Sequence, residues 1–294
     1  QPRHSRDLLT PHRPGQAFLR SRRPTTPFSL TMNDRDTLLS VYQNDDNYRT
    51  SPWFICEGRW LVECLLEQPT IEVHSVVVIE GQHDALRDNV PDEIPVLTVT
   101  QEEANKLLGF QFQRGVLAAA RKPEPLSVRD WLSKSPQHLT DPRPWVIAPL
   151  LADPSNVGAL IRNAAALGAG AVITSITGAS PWYRKAIRTS TGSAFRLPVV
   201  SSPCLDDDLK WLSEQQNIEL VALALTDNAV SIQDFTPNAK KIVLLIGPED
   251  HGLSEFWLDR CHQVVKIPMA NGVDSLNAAT SAAVALSRLT AIKG

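Results

Sequence analysis

The chain's fold is most constrained by two apolar strands near its C-terminus that each stop in a loop rich in turn formers. Ile242–Ile246 runs into a loop holding Gly247, Pro248 and Gly252, and Val264–Ile267 runs into one holding Pro268, Asn271 and Gly272. Short continuous apolar runs of this kind are strands buried on both faces, as in parallel sheets. Ligands of open parallel sheets bind beyond the carboxyl ends of the strands, so these loops are the first place to look for chemistry. Asp274-Ser275-Leu276-Asn277 then reads as a helix start with its capping residues. The alanine-rich helix that follows would set Leu276, Ala279, Ala283, Leu286 and Leu289 near one face, and its small side chains would let another backbone come close.

The upstream pattern extends this to an α/β architecture. From Trp145, apolar strands at 145–151, 171–175 and 219–225 alternate with helical stretches at 157–167, 182–189 and 205–215, with 195–200 extended. That is a doubly wound α/β pattern, spanning 145–294. A smaller α/β unit occupies 32–120, with strands at 75–79, 94–99 and 115–120 arranged as β-α-β units. Within it, 54–58 leads into a helix burying Leu61, Val62, Leu65 and Leu66, and Glu57 reads as a solvated or capping carboxylate. Residues 121–144 hold five prolines and read as a semi-rigid linker with a helical turn at 128–132. Residues 1–31 read as a disordered Arg/Pro-rich extension upstream of a start at Met32, with an Arg-rich transit peptide as the other reading.

Charge and cysteines narrow the function. Residues 1–31 carry six Arg and one Asp, so the other residues hold 23 basic and 31 acidic side chains, near −8. A globally basic nucleic-acid binder is excluded, and any such site must be a local patch. The four cysteines form no C-x-x-C pair and the seven histidines no metal-spaced cluster, so reduced cytosolic thiols and no metal are expected. No apolar run is long enough to span a bilayer. Gly168-Ala169-Gly170 follows a helix instead of a strand, which removes the dinucleotide fingerprint, and no P-loop is present.

Three motifs carry a resemblance. Asp153-Pro154-x-Asn156-x-Gly158-x-x-x-Arg162 is the first, Gly247-x-Glu249-x-x-Gly252-Leu253-Ser254 the second, and Ile267-Pro268-Met269 followed by Ser275-Leu276-Asn277 the third. With the intermediate Lys185-x-x-Arg188-x-Ser190-x-Gly192, they resemble the SpoU class of RNA ribose methyltransferases, of the SPOUT superfamily, over Trp145 to Leu289. Pro248, Thr189 and Thr191 depart from the pattern, yet no expected catalytic residue is missing. Residues 53–120 look like the RNA-binding domain, similar to a small ribosomal protein, that often precedes this catalytic domain.

The resemblance implies a C-terminal trefoil knot, a homodimer in the cytoplasm, and S-adenosylmethionine as methyl donor for a ribose 2′-hydroxyl, in large-subunit rRNA in preference to tRNA. By position it implies Leu223, Gly247, Ile267 and Leu276 around the cofactor, with ordinary core packing the other reading for Ile267 and Leu276. It implies a catalytic set of Asn156, Arg162, Glu249, Ser275 and Asn277. The asparagines and Ser275 also suit helix capping, and Glu249 also suits a solvated acid. Arg162 serves as base or as phosphate clamp; a guanidinium stays protonated, which favours the clamp. Arg184, Lys185, Arg188 and Arg196 make a basic patch suited to RNA phosphates. A non-catalytic RNA-binding or ribosome-assembly module on the same fold is the rival from another class.

Overall fold

A computed structural model of the chain describes residues 32–42, 50–248 and 250–291. The expectations for residues 1–31 lie outside the described residues. The polypeptide builds two sheets in succession.

The first has four strands, β1 (Trp53–Glu57), β2 (Val73–Ile79), β3 (Val96–Val99) and β4 (Val116–Arg121), in the order β1-β4-β2-β3. β4 lies antiparallel to both β1 and β2, and only β2 and β3 run parallel. The expectation of three strands in β-α-β units is therefore corrected: residues 53–57 are a fourth strand, and one pair alone is parallel. Five residues are too short to display a period, and β1 exists because β4 pairs it from Trp53↔Arg121 to Glu57↔Leu117. Helices α1 (Met32–Ser40), α2 (Arg59–Leu66), α3 (Asp84–Arg87) and α4 (Gln101–Leu108) complete this unit. α4 starts on a reciprocal cap, in which Thr100 Oγ1 accepts from the Glu103 N–H and the Glu103 carboxylate accepts from the Thr100 N–H.

Segment 121–144 carries α5 (Val128–Lys134) and α6 (Gln137–Thr140). α5 buries Val128, Trp131 and Leu132 in the core under the second sheet, with the Trp131 and Trp145 rings 5.2 Å apart. Lys241, buried at the start of a central strand, donates to the carbonyls of Asp141 and Arg143 and lies over the Trp145 ring.

The second sheet has seven strands, all parallel: β5 (Trp145–Ala148), β6 (Ala171–Ser175), β7 (Val199–Ser202), β8 (Ile218–Leu223), β9 (Val230–Ser231), β10 (Lys241–Ile246) and β11 (Gln263–Lys266), in the order β7-β6-β5-β10-β8-β11-β9. Both faces are covered, which is why every residue of β5 and β10 is buried. One face carries α7 (Pro154–Ala166), α8 (Arg184–Ser190) and α11 (Ala278–Ala291), and the other carries α5, α9 (Leu205–Ser213) and α10 (Glu255–Leu258). Because the strands are parallel, the loops after β5, β8, β10 and β11 gather on one edge.

Two local expectations are corrected. The extended stretch at 195–200 is one 3-10 turn, Ser193–Phe195, followed by β7. The last helix begins at Ala278, so Asp274–Asn277 is an exposed loop, and Asn271 (φ 57°) and Gly272 turn the chain ahead of it. The helix buries Ala278, Ala279, Ala282, Ala285, Leu286 and Leu289, whereas Leu276 stands outside it, 37% exposed. The small residues serve packing within the chain: Asn163 Nδ2 on α7 donates to the Ala279 carbonyl at 2.9 Å.

Gly158 sets the α7–α8 spacing. A Cβ there would overlap the Ala186 carbonyl oxygen and lie 2.8 Å from Thr189 Cβ. Gly158→Ala is expected to cost about 1–3 kcal/mol through forced separation of the two helices. Urea unfolding measures this, and an unchanged midpoint would show that the helices are not in contact here.

Candidate active site

A cavity of about 380 Å³ opens at the carboxyl ends of β8, β10 and β11. Leu223 ends β8, Gly247 follows β10, Ile267 follows β11 and Leu276 belongs to the loop before α11; all four line the cavity. Ile246, Leu253 and Met269 extend its apolar wall, and Thr226, His251, Lys266, Asp274 and Ser275 bring polar groups to it. Of this polar lining, Ser275 is an expected site residue and Asp274 an expected helix cap, whereas Thr226, His251 and Lys266 are added by the structure. His251 and Lys266 lie in or beside the loops after β10 and β11, and Thr226 in the loop after β8.

Gly247 has a specific reason to lack a side chain. A Cβ would come within 2.6 Å of the Gly252 carbonyl carbon and the Leu253 nitrogen. The loop closes back on its own first residue, and that closure sets the cavity wall. Pro248 fits the same turn, because its carbonyl accepts from the Gly252 N–H at 3.1 Å and its missing donor is not used there.

Ser275 is exposed at the cavity. Asn277, one residue past Leu276, joins two elements: its Nδ2 donates to Asn156 Oδ1 at 2.8 Å, and its Oδ1 accepts from the Ala279 N–H at 2.9 Å. Its capping role and its link to Asn156 thus coexist. Asn156 does not cap α7, since Asp153 does so by accepting from the Ser155 N–H at 2.9 Å. That N–H, with Lys185 second, holds the Asp153 carboxyl below the usual range.

Asn156 and Asn163 are two turns apart on α7 and share the face bonded to the start of α11. Arg162 lies four residues after Gly158, on the row that meets α8. It is exposed and makes no hydrogen bond or ion pair with a described residue, and it does not line the cavity itself. Glu249 lies outside the described residues.

The basic patch is built differently from a free cationic surface. Lys185 pairs with Asp153 at 3.1 Å and Arg196 with Glu67 at 3.1 Å. Arg184 and Arg188 both reach Glu57, at 3.4 and 3.3 Å. Glu57 is 6% exposed, so its reading as a solvated carboxylate is corrected: it is a buried acid that draws arginines from the other unit.

The other sequence expectations meet plain facts. All four cysteines are free, and burial pushes the Cys261 thiol up to about 12. Among the described residues, no group of three or more His, Cys, Asp and Glu could hold a metal ion. Among them, no helix is long and apolar enough to cross a membrane.

The parallel α/β sheet thus carries three carboxyl-edge loops that line one cavity. Residues 145–287 match the SpoU rRNA Methylase family, and the chain belongs to it. It is 30% identical over 232 residues to the 23S rRNA (guanosine-2′-O-)-methyltransferase RlmB of Acinetobacter baylyi, covering 76% of this chain and 92% of that one. It is 34% identical over 194 residues to an uncharacterized tRNA/rRNA methyltransferase of Mycobacterium bovis, covering 65% of this chain and 64% of the relative. The chain thus spans just under two thirds of the length of that mycobacterial relative. The crystal structure of the SpoU methyltransferase AviRb from Streptomyces viridochromogenes in complex with the cofactor AdoMet superposes with a TM-score of 0.73 at 26% identity, covering 88% of this chain and 99% of that chain.

Proposed function

We propose that this chain is an S-adenosylmethionine-dependent RNA methyltransferase acting on a ribose 2′-hydroxyl, in large-subunit rRNA in preference to tRNA. In this reading it works in the cytoplasm as a homodimer, residues 32–120 bind RNA, 121–144 link, 145–294 catalyse, and the last loops thread as a trefoil knot. The observation that carries the reading is the cavity, where Leu223, Gly247, Ile267 and Leu276 meet from three loop segments that are separate in sequence. The similarity to the AviRb–AdoMet complex and to the RlmB sequence supports the choice of cofactor and substrate.

The lining fits the methyl donor. Its volume of about 380 Å³ lies within the roughly 300–1,000 Å³ usual for small-molecule sites. Leu223, Ile246, Ile267 and Leu276 offer an apolar seat for an adenosine, and Asp274 and His251 offer charge partners for an amino-acid end. When bound, S-adenosylmethionine supplies an electrophilic methyl group.

The chain's own residues would do the rest. Closing the three loops fixes the direction from which a hydroxyl approaches, and alignment of this kind is worth on the order of 7–11 kcal/mol at best. Ser275 at the cavity can donate to the target hydroxyl or its phosphate. Arg162 clamps the neighbouring phosphate and stabilises negative charge developing on the oxygen. Its guanidinium keeps its proton, so the hydroxyl proton leaves to phosphate or water. The Asn156–Asn277 bond keeps the arginine helix in register with the loop that bears Ser275 and Leu276.

Titration calorimetry of the purified chain with S-adenosylmethionine tests the reading. Saturable binding is expected, and Leu276→Trp, which puts an indole ring where the cofactor would sit, is expected to weaken it strongly. Absence of binding to the wild-type chain would leave only the non-catalytic RNA-binding role.

A further inference from the structure

The junction of the two sheets holds one buried carboxylate and three guanidinium groups. Glu57 ends β1 with its side chain 7% exposed. Arg184 Nη2 reaches it at 3.4 Å, Arg188 Nη1 at 3.3 Å and Arg114 Nε, from the turn before β4, at 3.5 Å. One acid facing three bases leaves a surplus of two positive charges.

The three arginines are not equivalent. Arg184 is 11% exposed and packs over the Phe110 ring at 4.9 Å, so it is the structural partner of Glu57. Arg114 and Arg188 are 50% and 48% exposed. A guanidinium has five donors, so one contact to Glu57 leaves each of these two arginines with donors for an anion. The neighbouring bases Lys185 and Arg196 each have their own carboxylate, so the surplus sits on Arg114 and Arg188.

The geometry is held firmly. Phe54 on β1 packs against Trp182 and Phe195 with ring centroids 5.2 and 5.8 Å apart, within one apolar core common to both units. α8 stands between them: Arg184 and Arg188 face β1, while Ala186 and Thr189 face Gly158 on α7. A phosphate gripped by Arg114 and Arg188 is therefore fixed relative to the helix that carries Arg162.

We propose that Arg114 and Arg188 form a composite phosphodiester-binding site across the two units, organised by the buried carboxylate of Glu57, which holds RNA backbone at a set distance from the reacting ribose. The RNA phosphate is the counter-charge that the cluster lacks. The proposal rests on the RNA reading above and adds a second grip made partly by the smaller unit.

The test is RNA binding by the full chain, with an unmodified 23S rRNA transcript as probe, at several NaCl concentrations. Arg114→Ala leaves Glu57 with two arginine partners, so no buried charge is orphaned. The variant is expected to bind the transcript about tenfold more weakly, with a log–log salt slope smaller by about 1. S-adenosylmethionine affinity should stay at the wild-type value, and Arg114→Lys should recover most of the RNA affinity. Wild-type RNA affinity and slope in Arg114→Ala would overturn the site. Loss of cofactor affinity in that variant would also overturn it, by showing a structural role. If the wild-type chain binds the transcript with this arginine dependence but transfers no methyl group, the catalytic reading falls and the phosphate site stands. If the wild-type chain binds no RNA, both fall.

Discussion

Arg162→Ala is expected to lower kcat/KM for RNA methylation by about 10²–10³, the range seen when one preorganised donor to a developing oxyanion is removed. The side chain is exposed and bonds to no described residue, so among the described residues its loss breaks no hydrogen bond or ion pair. Stability should therefore stay within about 0.5 kcal/mol of the parent. Cofactor affinity should also hold, because Arg162 does not line the cavity. Arg162→Lys keeps the charge and loses the two-pronged geometry, so partial recovery is expected. Steady-state kinetics beside calorimetry separates these quantities. Near-normal turnover in the alanine variant would remove Arg162 from the chemistry.

Gly247→Ala should have the next largest effect, and on a different quantity. The added methyl would sit 2.6 Å from backbone atoms of Gly252 and Leu253, which cannot swing away as a flexible side chain could. The loop must open, at a cost of about 1–3 kcal/mol. Gly252 and Leu253 both line the cavity, so the strain falls on cofactor binding. A loss of about 10- to 100-fold in S-adenosylmethionine affinity is expected. RNA affinity should be retained, since the arginine cluster lies on other elements. Wild-type cofactor affinity in this variant would mean that the loop does not shape the site.

How far the sequence foretold this follows from the range of each interaction. β5 and β10 were legible because both faces of a parallel sheet are covered, leaving unbroken apolar runs. The cavity residues Leu223, Gly247, Ile267 and Leu276 were legible through the family resemblance, by position; the apolar strands alone pointed only to the loops that follow them. β1 was not, since its five residues gain their identity from a strand some sixty residues later. Glu57 looked like an ordinary surface acid for the same reason: Arg184 and Arg188 lie 127 and 131 residues away. The prolines of 121–144 suggest a linker, yet the expected helical turn at 128–132 is α5, pinned to the second sheet by Val128, Trp131 and Leu132. Leu276 was assigned to a helix face on periodicity, but the Asn277 cap starts the helix after it and leaves Leu276 to the cavity.

The central claim is that three loops hold a methyl donor against a ribose oxygen. The direct measurement is to incubate the chain with methyl-tritiated S-adenosylmethionine and an unmodified 23S rRNA transcript, digest the RNA to nucleosides, and identify the labelled species by chromatography and mass spectrometry. Label confined to a 2′-O-methylated nucleoside is the expected result. Label on a base, or no transfer to RNA under conditions where the cofactor binds, would contradict the account.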